Sequence, residues 1–272
     1  MDRDAPAIAD VHNHLVPGVD DGARSVSETL AAVERLVRAG IRRIITTPHI
    51  DGNLTHDPSR LEPRLSEVDR AFGEAADAVR ARFPDVEFAR GHEVMLDVPD
   101  PDFSDERLRM AGTSFVLVEW PRLHLPPGTP KVLERIRAAG YRPIVAHPER
   151  YGGLDLEIAA AWRGVGAHLQ VSYGSLLGRY GPAARVMAHR MLRRGMVDYL
   201  ASDFHARPGG KIYKREAFAH LRALGGHEAL VFLSLSNPVR ILSDEAPLQV
   251  PPIPAERGFW ARMKEALNPE SA

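Results

Sequence analysis

Cysteine is absent from this 272-residue chain. Its absence excludes disulfides, thiolate metal sites, iron–sulfur clusters and every mechanism that uses a cysteine nucleophile. Lysine is scarce too: Lys131, Lys211, Lys214 and Lys264 are the whole set, so the 35 basic residues are mostly arginine. That excess carries little functional weight by itself. Charge of one sign is also lacking. Thirty-five Lys+Arg against 36 Asp+Glu give a formal net charge of -1, which leaves no global field to draw in nucleic acid or an anionic membrane. No apolar run reaches the roughly 18 residues of a membrane span, and no long apolar stretch such as a signal peptide needs follows Met1-Asp2-Arg3-Asp4. The expected location is the cytoplasm.

What remains is an ordinary globular composition, 44% hydrophobic and 26% charged, which excludes a disordered, collagenous or coiled-coil chain. Short β-branched runs recur at Ile8–Val11, Arg43–Thr47, Val86–Ala89, Phe115–Glu119, Pro143–Ala146, His168–Val171 and Asp198–Ala201. Helical patterns fall between most of them. Ser27–Ala39 is stopped by Gly40, and Lys131–Ala139 by Gly140. The longest helix starts with Asp57 as cap and Pro58 in its first turn. Strand followed by helix, repeated, implies an α/β fold with a parallel sheet. Seven repeats favour a closed or nearly closed seven-stranded TIM-like barrel over an open sheet. The expected catalytic domain is 1–242. From Ser243 onward the texture turns proline-rich, and 243–272 reads as a tail ending in a short amphipathic stretch around Phe259, Trp260, Met263 and Leu267.

Metal-ligand side chains collect at the C-terminal ends of these strands. His12 and His14 follow the first run, and residues two apart on a strand share a face. Asp203 and His205 repeat the arrangement after the last run. His49, Glu93, Glu119 and His147 stand at the ends of the second, third, fourth and fifth. This is the end at which barrel enzymes build active sites. Asp21 completes the first loop, with Asp20 as the alternative. One metal cannot use nine imidazoles and carboxylates, so two or three ions are implied. Nitrogen and oxygen donors without thiolate suit Mn²⁺, Fe²⁺ or Zn²⁺. Arg150, three residues after His147, suits a phosphate. In the basic loop after His205, Arg207 ranks above Lys211 for the same task. His92 is expected on the opposite face from Glu93. His56, His124, His168, His189, His220 and His227 read as surface or core residues in loops or on helices, without matching partners.

On these residues the sequence resembles the polymerase-and-histidinol-phosphatase (PHP) superfamily, over about residues 8–240. Within it, the segments 12–22, 47–49, 91–93, 118–121, 147–151 and 201–205 resemble the bacterial manganese-dependent protein-tyrosine phosphatases of capsule and exopolysaccharide loci. The resemblance implies the PHP fold, a distorted seven-stranded β/α barrel with a trinuclear site. It assigns His12, His14, Glu93 and Asp203 to one metal, Glu93, Glu119 and His147 to a second, and Asp21, His49 and His205 to a third, with Arg150 as the active-site arginine. Two positions depart from the pattern. Ile50 stands where many relatives carry a second histidine, and the loop after His205 lacks the usual arginine spacing.

The implied activity is hydrolysis of phosphotyrosine by hydroxide generated at the metals, on a partner such as an autophosphorylating tyrosine kinase of polysaccharide export. Other readings are a PHP phosphoesterase acting on histidinol phosphate or another small phosphate monoester, and a module that binds phosphotyrosine without hydrolysing it. A nucleic-acid substrate is disfavoured by the missing basic surface.

Overall fold

A computed structural model describes residues 8–207 and 209–254. The chain alternates strands and helices, as its sequence pattern requires. The strands are β1 (Ile8–Asp10), β2 (Ile41–Thr46), β3 (His49–Asp51), β4 (Glu87–Arg90), β5 (Glu93–Met95), β6 (Phe115–Glu119), β7 (Arg142–Ala146), β8 (His168–Ser172) and β9 (Tyr199–Ala201). All seven expected runs form strands. The two additional segments, β3 and β5, continue β2 and β4 beyond short interruptions. Pro48 causes the first, because it has no N–H to give to a ladder. Gly91 marks the second: a Cβ there would lie 2.8 Å from the Cα of Met110, so only glycine lets the chain pass.

These interruptions divide the strands into two parallel sheets, with orders β1-β2-β4 and β3-β5-β6-β7-β8-β9. The first and last strands share no ladder among the described residues. They are joined just beyond their ends by a parallel bridge between Asn13 and Phe204. His14 N donates to Phe204 O at 3.0 Å, and Asp203 N to His12 O at 2.9 Å. Buried Asp10 reinforces the junction, accepting from Ser202 N at 2.7 Å, Ser202 Oγ at 2.5 Å and Asn13 Nδ2 at 3.1 Å.

Both faces of the central strands are apolar, the signature of a parallel sheet covered on each side. On β6, Phe115 and Leu117 pack with Val11, Ile45, Ile144 and Tyr199 in a cluster that draws on both sheets. Their neighbours Val116 and Val118 face a larger cluster that includes the helical residues Leu133, Ile136, Trp162 and Met191.

The helices begin and end on local signals. In α1 (Val26–Arg38), Ser25 caps by accepting from Glu28 N, and Gly40 leaves the helix at φ +81. The longest, α2 (Pro58–Arg82), is capped by Asp57, which accepts from Ser59 N. Further helices include α3 (Thr129–Ala138), α4 (Leu156–Gly164), α5 (Tyr173–Leu176) and α6 (Pro182–Arg193). The proline-rich segment after Ser243 lies against the domain, with Val250 and Ile253 buried in the larger cluster and Asp244 accepting from Ser114 N. The Phe259–Leu267 stretch lies outside the described residues. Among those described, no helix is long and apolar enough to cross a membrane.

Candidate metal centre

The strand ends deliver their polar side chains to one place. Two of the residues concerned, His147 (φ +34) and Asp203 (φ +49), occupy the left-handed region although neither is glycine. Such strain persists only where the surroundings impose it, and it clusters at functional sites. His12, His14, Glu93, His147 and Asp203 are buried, while Asp21 is half exposed. Five charged or chargeable side chains removed from water need partners. They have one another.

Four groups of three or more such side chains have ligand atoms within 4.8 Å of one another among the described residues. They are His14–Asp21–His49–His205, His12–Glu93–His147, His12–His14–Asp203 and His49–Glu93–Glu119. All nine residues singled out in the sequence fall in these groups, and no others do. Glu93 lies at the centre, 3.0 Å from both His12 Nε2 and His147 Nε2, 3.3 Å from His49 Nδ1 and 3.4 Å from His14 Nε2. Asp203 Oδ1 is 3.4 Å from His12 and 3.5 Å from His14. Asp21 Oδ1 is 3.3 Å from His205 Nε2 and 3.7 Å from His49 Nε2. The sets differ in detail from those the family resemblance implied: Glu119 groups with His49 rather than with His147, which is 3.8 Å away.

The outer nitrogens of three imidazoles are already engaged. His12 Nδ1 donates to Gln170 Oε1 at 2.8 Å, His14 Nδ1 pairs with Asp20 Oδ2 at 2.7 Å, and His205 Nδ1 donates to the Asp203 carbonyl at 3.1 Å. Their Nε2 atoms are therefore turned inward. Fixing one ring nitrogen so that the other presents a lone pair is how proteins orient metal-binding histidines. This donor set fits a cluster of divalent ions.

Electrostatics in the metal-free chain agree. Burial alone would lower the pKa of His12, but the carboxylates of Glu93 and Asp203 outweigh it and hold it at about 9. His14 is raised well above its usual value by Asp20, Asp203 and Glu93 against the same desolvation. Burial would raise Glu93 and Asp203, yet the facing histidines, and for Asp203 also Arg150, push both well below the carboxylate range. Asp20, opposed by burial but accepting from His14, Gly22 N and His49 N, falls to about 2. Asp20 is hydrogen-bonded to His14 Nδ1, while Asp21 lies in the group with His14, His49 and His205.

Arg150 lies on the turn after His147. Its Nη2 donates to Ser172 Oγ at 2.7 Å and to Asp203 Oδ2, while its Nε is buried without a partner. Arg207 Nη2 donates to Asp21 Oδ2 at 2.6 Å from an exposed position. Lys211 is exposed. His92 turns away from the cluster, its Nδ1 donating to the Arg107 carbonyl at 2.9 Å.

The reading of the remaining histidines needs two corrections. His168 lies on strand β8, not in a loop or helix, with Asp198 Oδ2 3.9 Å away. His189 and His220 do have matching partners, namely each other, Nε2 to Nε2 at 3.2 Å. Asp10, Gln170 and Ser172 were missed. Gln170 had a signal, a lone amide in the middle of an apolar run.

The model of the family described as capsular polysaccharide synthesis, CpsB/CapC, matches residues 8–243. The chain belongs to the CpsB/CapC family. Among curated relatives in the family's range, the tyrosine-protein phosphatase YwqE of Bacillus subtilis (strain 168) is 27% identical over 253 residues, covering 91% of this chain and 96% of YwqE. The putative tyrosine-protein phosphatase CapC of Staphylococcus aureus is 22% identical over 257 residues, covering 93% and 98%. One solved structure comes from work on YwqE from Bacillus subtilis and CpsB from Streptococcus pneumoniae, described as unique metal-dependent tyrosine phosphatases. It shares the fold with a TM-score of 0.72 at 24% identity, over 92% of this chain and 100% of its own.

Proposed function

We propose that this protein is a metal-dependent phosphatase that hydrolyses phosphotyrosine, with Mn²⁺ at two or three positions held by His12, His14, Asp21, His49, Glu93, Glu119, His147, Asp203 and His205. The observation that carries the reading is the convergence of these nine side chains around Glu93, beside a buried arginine with a free N–H. Family membership and the relatives named as tyrosine phosphatases support the substrate class. Its partner is a tyrosine-phosphorylated protein in the cytoplasm, of which a polysaccharide-export kinase is the natural case for a capsule-synthesis family.

When bound, divalent ions supply Lewis acidity, polarising a phosphoryl oxygen and lowering the pKa of water. The chain's own residues do the rest. Arg150 offers Nε to a phosphoryl oxygen, satisfying a buried donor and adding a charge-assisted hydrogen bond that strengthens as charge develops. Ser172 and Asp203 hold the guanidinium in place. Gln170 and Asp20 keep His12 and His14 turned inward. Arg207 neutralises the outer oxygen of Asp21 and stands where it can follow an anion into the site. Without a cysteine, no cysteinyl phosphoenzyme forms.

The test strips the protein with a chelator and reloads it with Mn²⁺, Fe²⁺ or Zn²⁺. Phosphate release is then compared for a phosphotyrosine peptide and for histidinol phosphate. Preference for the peptide with Mn²⁺ supports the proposal. Preference for histidinol phosphate keeps the cage but overturns the substrate, and release from neither favours a binding module.

A further inference from the structure

Large apolar side chains left exposed are few among the described residues, and two of them stand near Arg150. Leu123 is 38% exposed, and its carbonyl accepts from Gly152 N, two residues beyond Arg150. Tyr180 is 39% exposed, although its ring centroid lies only 3.6 Å from the Arg150 guanidinium carbon. The ring therefore covers a largely buried cation that itself touches Asp203, while Tyr180 as a residue stays exposed. The connection between α5 and α6 is shaped for this. Gly178 and Gly181 take φ of +80 and +95, turning the chain on either side of Tyr180. Gly174 lies beneath the ring: a Cβ there would be 3.1 Å from Tyr180 Cε2.

We propose that Tyr180 is the specificity-determining residue of the site, its exposed ring forming a subsite for the aromatic group of an aryl phosphate whose phosphoryl group is held at Arg150. The inference rests on the phosphatase reading and adds which part of the chain reads the organic half of the ester. A metal cage and an arginine recognise phosphate alone and accept any monoester. Discrimination needs a feature that an alkyl ester cannot use, and an aromatic ring next to the phosphate-binding arginine is one. Offset or edge-to-face contact between two rings adds to simple burial of area. The ring is also neutral, so it covers Arg150 without competing with phosphate for its charge.

The test uses the full chain loaded with Mn²⁺ and two non-hydrolysable probes, phenylphosphonate and methylphosphonate, titrated by calorimetry. The wild type binds phenylphosphonate more tightly. Tyr180→Ala reduces that phenyl-over-methyl preference by about threefold to tenfold, the range of a single aromatic pair. Tyr180→Phe keeps the preference. Gly174→Ala, which crowds the ring without touching Arg150, lowers it. Equal weakening of both probes in Tyr180→Ala overturns the proposal, because the ring would then only steady Arg150. An unchanged ratio, no preference in the wild type, or no binding of either probe also overturns it. Failure of the wild type to hydrolyse a phosphotyrosine peptide, with the preference present and dependent on Tyr180, defeats the substrate assignment and leaves the ring subsite standing.

Discussion

Arg150 is the residue whose replacement separates holding metal from using it. Its guanidinium touches Asp203 and Ser172 and lies under Tyr180, but it supplies no metal ligand. In Arg150→Ala, Asp203 loses its cationic partner yet keeps His12, His14 and His205 within 3.4, 3.5 and 3.7 Å. Breaking a buried ion pair commonly costs about 3–5 kcal/mol, and the remaining histidines place this one at the low end. Metal content is therefore expected to stay near the wild-type ratio. Turnover is expected to drop by about 10²–10³ in kcat, about 2.7–4 kcal/mol, as for loss of one preorganised donor to a developing oxyanion. Arg150→Lys should recover little, because a single ammonium nitrogen cannot span the separate Nη2 and Nε positions that serve Ser172, Asp203 and phosphate. The assay pairs elemental analysis of the purified variants with kcat on a phosphotyrosine peptide in Mn²⁺, alongside His147→Ala and Asp203→Ala as variants that lose metal. The reasoning fails if Arg150→Ala is as depleted of metal as those two, or if it retains full metal and full turnover.

Three further outcomes follow from features away from the arginine. His168 is held at about 3 because burial disfavours its cation and Arg163, Arg137 and Arg142 repel it. The unfolded chain takes up that proton near 6.5 and the folded chain does not, so this stability is present above pH 6.5. It is lost as pH falls toward 3, by up to about 1.4 kcal/mol per unit. Urea titrations at several pH values should show a shallower acid loss in His168→Gln, and parallel curves would contradict the assignment. Trp162 stacks on Trp120 at 5.0 Å and donates from Nε1 to Thr129 Oγ1, so Trp162→Ala should lower the unfolding free energy from urea titration by about 3–5 kcal/mol. At Gly22 an added Cβ would lie 2.1 Å from the His14 carbonyl oxygen, so Gly22→Ala must displace the Asp20–Asp21 loop. A lower metal-to-protein ratio is expected, and wild-type loading would show that the loop is not a ligand carrier.

The ligand residues were legible because each stands at the end of a β-branched run, where backbone geometry alone fixes where the strand delivers its side chains. His12 and His14 share a face by periodicity, and the other strand ends line up once the sheet is parallel. What was illegible came from the other side of each imidazole. Gln170 reaches the histidine motif only through tertiary pairing, and nothing local assigns an amide on β8 to His12. The seven strand passages were readable, but the split into two sheets was not, although Pro48 and Gly91 mark where it occurs. Tyr180 escaped notice because a lone tyrosine between two glycines has no periodicity to betray it.

The junction of the first and last strands also has a temporal meaning. Asp10 and Ser202 are bonded partners 192 positions apart in the chain. During synthesis His12 and His14 emerge long before Ser202, Asp203 and Phe204, which join their strand to the last one. A nascent chain stopped short of Phe204 has neither the bridge to Asn13 nor the ligand Asp203. A product truncated before Asp203 thus keeps the groups around Glu93 but lacks those that need Asp203 and His205.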